Sequence, residues 1–139
     1  MNVIEEIKKL DLPTAEYVII GGAVMAVHGI RDTDDIDIVV TPSLFQKYTQ
    51  EGWELNPWTK TGKKGKDWLK KDKVEMYKEV IMSGNSVTLE ELSKDIEIID
   101  GVPFISLQKL VEFKTEYWQL YNRPKDVNDL ALIEQFLSK

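Results

Sequence analysis

The sequence predicts an α+β domain, a mixed β-sheet flanked by helices. Strand-like and helix-like segments are interleaved without regular β-α-β alternation. The 139 residues suit one hydrophobic core. No internal repeat, low-complexity tract or linker divides them, so residues 1–139 read as one domain, with a C-terminal helical pair, 106–137, packed on it. A hydrophobic fraction of 42% and a charged fraction of 30% exclude disordered and fibrous classes.

Each element has a local reason. Val3, Ile4, Ile7 and Leu10 fall at helical spacing, so the chain opens with an amphipathic helix that "DLPT" ends. "YVIIGG" is a short buried strand stopping at a glycine pair. "AVMAVHGI" is a helix closed by Gly29. "DIDIVV" is strand-like, with β-branched residues. Thr41 as N-cap and Pro42 at the first helical position begin a helix that Gly52 ends. Residues 53–65 read as a loop. "KDWLKKDKVEMYKEVIM" gives two strands around a "KKDK" turn, and "TLEELSKD" gives a short helix. "IEIIDGVPFI" is a hairpin turning at Asp100-Gly101. Helices from Ser106 to about Tyr121 and Pro124 to about Leu137 finish the chain.

No apolar run approaches the ~20 residues that span a bilayer. The N-terminal stretch lacks the apolar core of a secretory signal, and zero cysteines leave neither disulfides nor thiolate metal sites, so a cytoplasmic protein is expected. The net charge of −6 does not draw nucleic acid by its overall field. Lys60–Lys73 nevertheless carries seven lysines against two aspartates. That stretch is either a solvated hairpin edge or a lobe facing a polyanion.

The informative stretch is "YVIIGGAVMAVHGIRDTDDIDIVV", Tyr17 to Val40. It places Asp32, Asp34, Asp35 and Asp37 just where a buried strand begins, although unpaired carboxylates are costly to bury. In an extended strand Asp35 and Asp37 share a face, their Cα atoms about 6.7 Å apart. Paired carboxylates at a sheet rim suit the oxygen-rich coordination of Mg²⁺ or Mn²⁺, which can grip both oxygens of a phosphoryl transfer. A solvated loop is the plainer reading. Gly21-Gly22, at a strand-to-helix junction, lets a phosphate approach backbone N–H groups, or simply makes a tight, closely packed turn.

Gly21-Gly22, Gly29 and "RDTDDID" together resemble the signature of the polymerase-β-like nucleotidyltransferase superfamily. "HGIRDTDDIDIVV" is similar to its small bacterial members, which include AbiEii-like toxins and minimal transferases. The resemblance implies a palm-like fold in which Gly22 touches a nucleoside triphosphate and Asp35 and Asp37 bind metal. Arg31 and Thr33 would support the loop or the phosphates. It also implies a third carboxylate on a neighbouring strand, serving as metal ligand and base. Glu75, mid-strand between Val74 and Met76, is the first candidate and Glu97 the second; a solvent-facing strand residue is the alternative for Glu75.

On the penultimate helix Leu107, Leu110, Val111, Lys114, Tyr117, Trp118 and Tyr121 share a face. Lys114 interrupts that stripe; it either snorkels or reaches the acids or a triphosphate. In the final helix Asp126 and Asp129 complement the positive dipole end. "RPKD..D" after a helical lysine also resembles the C-terminal part of AbiEii-like transferases, which adds Lys114, Lys125, Asp126 and Asp129 to the candidate site. His28 is read as packing or loop support. The tryptophans are read as sheet cover, with base stacking by one of Trp53, Trp58 and Trp68 as the alternative.

The expected activity is metal-dependent transfer of a nucleoside monophosphate from ATP or another NTP to an acceptor hydroxyl, releasing pyrophosphate. A non-catalytic nucleotide- or partner-binding module and a phosphohydrolase are the alternatives. The acceptor is RNA, a small molecule such as an antibiotic, or a protein, and a homodimer or antitoxin-like partner is expected to complete the site. Neither a phosphate loop of the G-x-x-x-x-G-K-[ST] type nor a G-x-S-x-G elbow is present, which argues against P-loop kinases and serine hydrolases.

Overall fold

The computed structural model describes residues 1–57 and 67–139. The first turn of α1 (Val3–Lys9) is fixed by Asn2, whose side chain accepts from the Glu5 N–H; Val3 and Ile7 face the core. β1 (Tyr17–Ile20) runs into α2 (Gly22–Val27), and β2 (Ile36–Val40) follows. α3 (Pro42–Gln50) starts as its sequence dictates, with Thr41 Oγ1 accepting from the Leu44 N–H and Pro42 in the first turn. β3 (Glu54–Asn56), β4 (Trp68–Lys71) and β5 (Val74–Tyr77) come next. β6 (Glu79–Met82), β7 (Asn85–Thr88), α4 (Leu89–Leu92), β8 (Ile96–Ile99) and β9 (Val102–Ile105) precede the closing helices, α5 (Leu107–Tyr121) and α6 (Pro124–Leu137).

Seven strands form a mixed sheet in the order β3-β4-β5-β2-β1-β9-β8, and β6 and β7 make a separate hairpin. β2 pairs antiparallel with β1 and parallel with β5; β1 pairs parallel with β9. The central strands β1 and β2 are buried throughout, as expected where both faces of a sheet are covered. The β8–β9 turn has positive φ at both Asp100 and Gly101, the backbone a two-residue hairpin of this twist requires. The buried apolar residues of sheet and helices form one cluster.

The α+β expectation holds, and two local ones are corrected. Residues 53–65 are not wholly loop, because Glu54–Asn56 pairs with β4 at the sheet edge. The region expected to give two strands gives β4, β5 and β6, with β6 leaving the main sheet after Lys78 to pair with β7. No proline or glycine marks that departure, and the polar "NSVT" of β7 carries little strand signal. Trp58 and the lysines at positions 60, 63, 64 and 66 lie outside the described residues. Trp53 and Trp68 cover the sheet, packed on Tyr48 and Tyr77 respectively. Among the described residues no helix is long and apolar enough to cross a membrane.

Candidate active site

The site begins where β1 ends. Gly21 has φ +70°, and a Cβ there would fall 2.5 Å from Asp37 Oδ2. A Cβ on Gly22 would lie 3.0 Å from Thr33 Oγ1 and 3.2 Å from an Arg31 guanidinium nitrogen. Gly21 is therefore required by its backbone and by Asp37, and a Cβ on Gly22 would crowd Thr33 and Arg31, which press directly against the turn. The glycine pair and the acidic motif, far apart in sequence, are two sides of one contact.

Asp37 lies within β2, opposite Ile20 on one side and Glu75 on the other. Residues in register on adjacent strands share a face, so Asp37 and Glu75 are neighbours, exposed by only 4% and 8%. Tyr77 Oη donates to Glu75 Oε1 at 2.8 Å. Burial, and then the charges of Asp37 and Glu75, push the Tyr77 hydroxyl far up, so it stays a donor. Asp35 differs from the strand reading: β2 starts at Ile36, and Asp35 sits exposed in the turn before it. Thr33 ties this turn, its hydroxyl donating to the Asp35 carbonyl at 3.0 Å and its N–H to Asp32 Oδ1 at 2.9 Å. The α-amino group of Met1 sits 3.2 Å from the Asp32 carboxylate.

Facing this acidic wall is a charged network on α5 and α6. Arg31 forks onto Asp129, Nε to Oδ1 at 2.7 Å and Nη2 to Oδ2 at 2.9 Å, which joins the motif loop to the last helix. Lys114 Nζ lies 2.8 Å from Asp129 and 3.6 Å from Asp126. Arg123 forks onto Asp126 in turn, at 2.7 and 3.0 Å. Lys114 therefore does not snorkel; it is 4% exposed and carries its charge inward, which two carboxylates permit. Burial lowers the Lys114 pKa, opposed by those carboxylates. Burial tends to raise the Asp129 carboxyl, but hydrogen bonds from Arg31 and Lys114 outweigh it and hold that group below the usual carboxylate range. The acids at the start of α6 are explained by these partners rather than by the helix dipole alone.

Between the two walls lies a cavity of about 390 Å³. Gly21, Gly22, Arg31, Thr33, Asp35, Asp37, Lys114, Lys125 and Asp129 all line it. Asp126 sits behind Lys114 and Arg123, and Glu75 is likewise off the lining. Arg123, Tyr117 and Asn128 line it too and were not singled out from sequence. Arg123 had a usable signal, an arginine three residues before an aspartate at a helix start; Tyr117 had only its place on a stripe that also reads as core. Glu97 is at the far edge of the sheet on β8, paired with His28 Nε2 at 2.8 Å, which leaves His28 a support for packing.

Asp35 and Asp37 offer carboxylate oxygens at this cavity, the donor chemistry that Mg²⁺ and Mn²⁺ prefer. The absence of a Cβ on Gly21 leaves the Asp37 carboxylate its room. Among the described residues, however, no group of three or more Asp, Glu or His side chains is placed to hold a metal ion. Two carboxylates fit such an ion; a three-carboxylate set is not preassembled.

No protein-family model and no curated protein sequence matches the chain. Among solved structures it is similar to a Thermotoga maritima protein described as a "putative nucleotidyltransferase". The TM-score is 0.53 with 18% identity, over 98% of this chain and 91% of that one. The chain shares that protein's fold. At this identity the likeness speaks for fold alone, and coverage of nearly the whole chain includes the C-terminal helices.

Proposed function

We propose that the protein is a metal-dependent nucleotidyltransferase, moving an NMP from an NTP to an acceptor hydroxyl with release of pyrophosphate. The observation that carries this reading is the convergence of Asp35, Asp37, the Gly21-Gly22 turn and a cationic helix wall on one cavity, within a nucleotidyltransferase fold. Asp35 and Asp37 would hold the divalent cation, Mg²⁺ or Mn²⁺, whose charge offsets that developing on the α-phosphate. Lys114, Lys125 and Arg123 give the opposite wall the charge to receive a triphosphate. Arg31 acts through Asp129 and Asp32, fixing the loop that presents Asp35. Glu75, next to Asp37 in register, would take the acceptor's proton, with one oxygen held by Tyr77.

The AbiEii-like subtype, a cytoplasmic location and an antitoxin-like or homodimeric partner belong to the same proposal, supported by the sequence resemblance. Incubating the protein with labelled NTPs, Mg²⁺ or Mn²⁺ and RNA, protein or aminoglycoside acceptors tests it; label transfer with stoichiometric pyrophosphate is expected. One observation favours a second reading, a nucleotide-binding module without turnover: Glu75 is off the cavity lining and tied to Tyr77. Tight NTP binding with no pyrophosphate would select that reading.

A further inference from the structure

Tyr117 is 6% exposed, lines the cavity from α5, and its hydroxyl has no hydrogen-bond partner among the described residues. A buried hydroxyl without a partner is costly, so a folded chain retains one where something else uses it. Its surroundings indicate what. The Arg123 guanidinium lies over the Tyr117 ring, 5.1 Å from its centroid. Lys125, exposed and at the cavity, forms no salt bridge among the described residues. Arg31, Lys114 and Arg123 pair with the two carboxylates Asp126 and Asp129, and Lys125 adds a further positive charge beside them. Burial raises the phenol's pKa, which keeps it a neutral donor.

We propose that the Tyr117 hydroxyl donates a hydrogen bond to a phosphate oxygen of the nucleotide's polyphosphate tail, in the cationic corner where α5 turns into α6. The inference rests on the nucleotidyltransferase reading and adds to it the place where the pyrophosphate end lies. Asp35 and Asp37 would then face the α-phosphate, and the helix wall the departing pyrophosphate.

Inorganic tripolyphosphate with Mg²⁺ isolates this contact, because it carries neither base nor sugar. Calorimetric titration of wild type and Tyr117→Phe, with melting curves of both, is the test. The expected result is unchanged melting and tripolyphosphate binding weakened about ten- to 150-fold, the range for one hydrogen bond to a charged acceptor. Equal affinity for the two proteins, or a markedly lower melting temperature for Tyr117→Phe, overturns the inference, the latter by showing the hydroxyl engaged within the fold. Failure of both proteins to bind tripolyphosphate overturns it too. NTP turnover by the same wild-type preparation reports separately whether nucleotidyl transfer survives.

Discussion

The cavity has two acidic groups that look alike in sequence and differ in structure. Asp126 and Asp129 are buried and each accepts a forked pair of hydrogen bonds from an arginine, with Lys114 between them. Asp35 is exposed, forms no salt bridge among the described residues, and looks into the cavity with Asp37. An acid whose cation is built into the fold serves the fold; Asp35, presented at the cavity with no salt bridge among the described residues, is available to a ligand. Spacing cannot separate the two, since D-x-D and D-x-x-D are both clusters of carboxylates. Their partners separate them.

The contrast makes its largest prediction for catalysis. Asp35→Asn and Asp37→Asn should each lower nucleotidyl transfer by at least about 10²-fold. Asp35→Asn should melt within about 4 °C of wild type, the shift that ~1 kcal/mol gives in a domain of this kind. Undiminished pyrophosphate release by both variants would erase the distinction. Asp129→Ala should do the reverse as its primary effect, costing about 3–5 kcal/mol in denaturant unfolding by leaving Arg31 and buried Lys114 without their shared anion. Lys114→Met should cost less, because Asp129 keeps Arg31 and Asp126 keeps Arg123.

Gly21→Ala couples the two effects. Its Cβ would collide with the Asp37 carboxylate and sit at positive φ, so a loss of about 1–3 kcal/mol should accompany reduced transfer. The smallest effect is on pH dependence. Asp129 has a folded pKa below its ordinary 3.8, so its contribution is complete above that value and is lost as pH falls through the folded one. Melting temperatures followed from about pH 5 to pH 3 should fall less steeply for Asp129→Asn than for wild type. Parallel curves would mean that Asp129 is not the titrating anchor.

Much of this was legible in the residues. Thr41-Pro42, Asp100-Gly101 and the β-branched run after Asp35 fix their elements through local chemistry that tertiary contacts did not override. The glycine pair and the acid pair were visible, but their mutual contact was not. It depends on β1 and β2 pairing so that Ile20 faces Asp37. The departure of β6 at Lys78 depends on long-range pairing with a polar strand and left no local mark. Lys114 was visible as an anomaly in an apolar stripe; that it is clamped by aspartates twelve and fifteen residues away follows from the α5–α6 turn. Burial of Glu75 removes the solvent-facing alternative that its sequence left open, and its tie to Tyr77 depends on two side chains sharing one face of β5.

Manganese binding, read by electron paramagnetic resonance with a non-hydrolysable NTP present, reaches the central claim most directly. Wild type should sequester Mn²⁺ together with the nucleotide, and Asp35→Asn and Asp37→Asn should leave the ion in solution while melting as folded proteins. Identical Mn²⁺ uptake by all three would place the cation, and the chemistry that follows from it, away from these carboxylates.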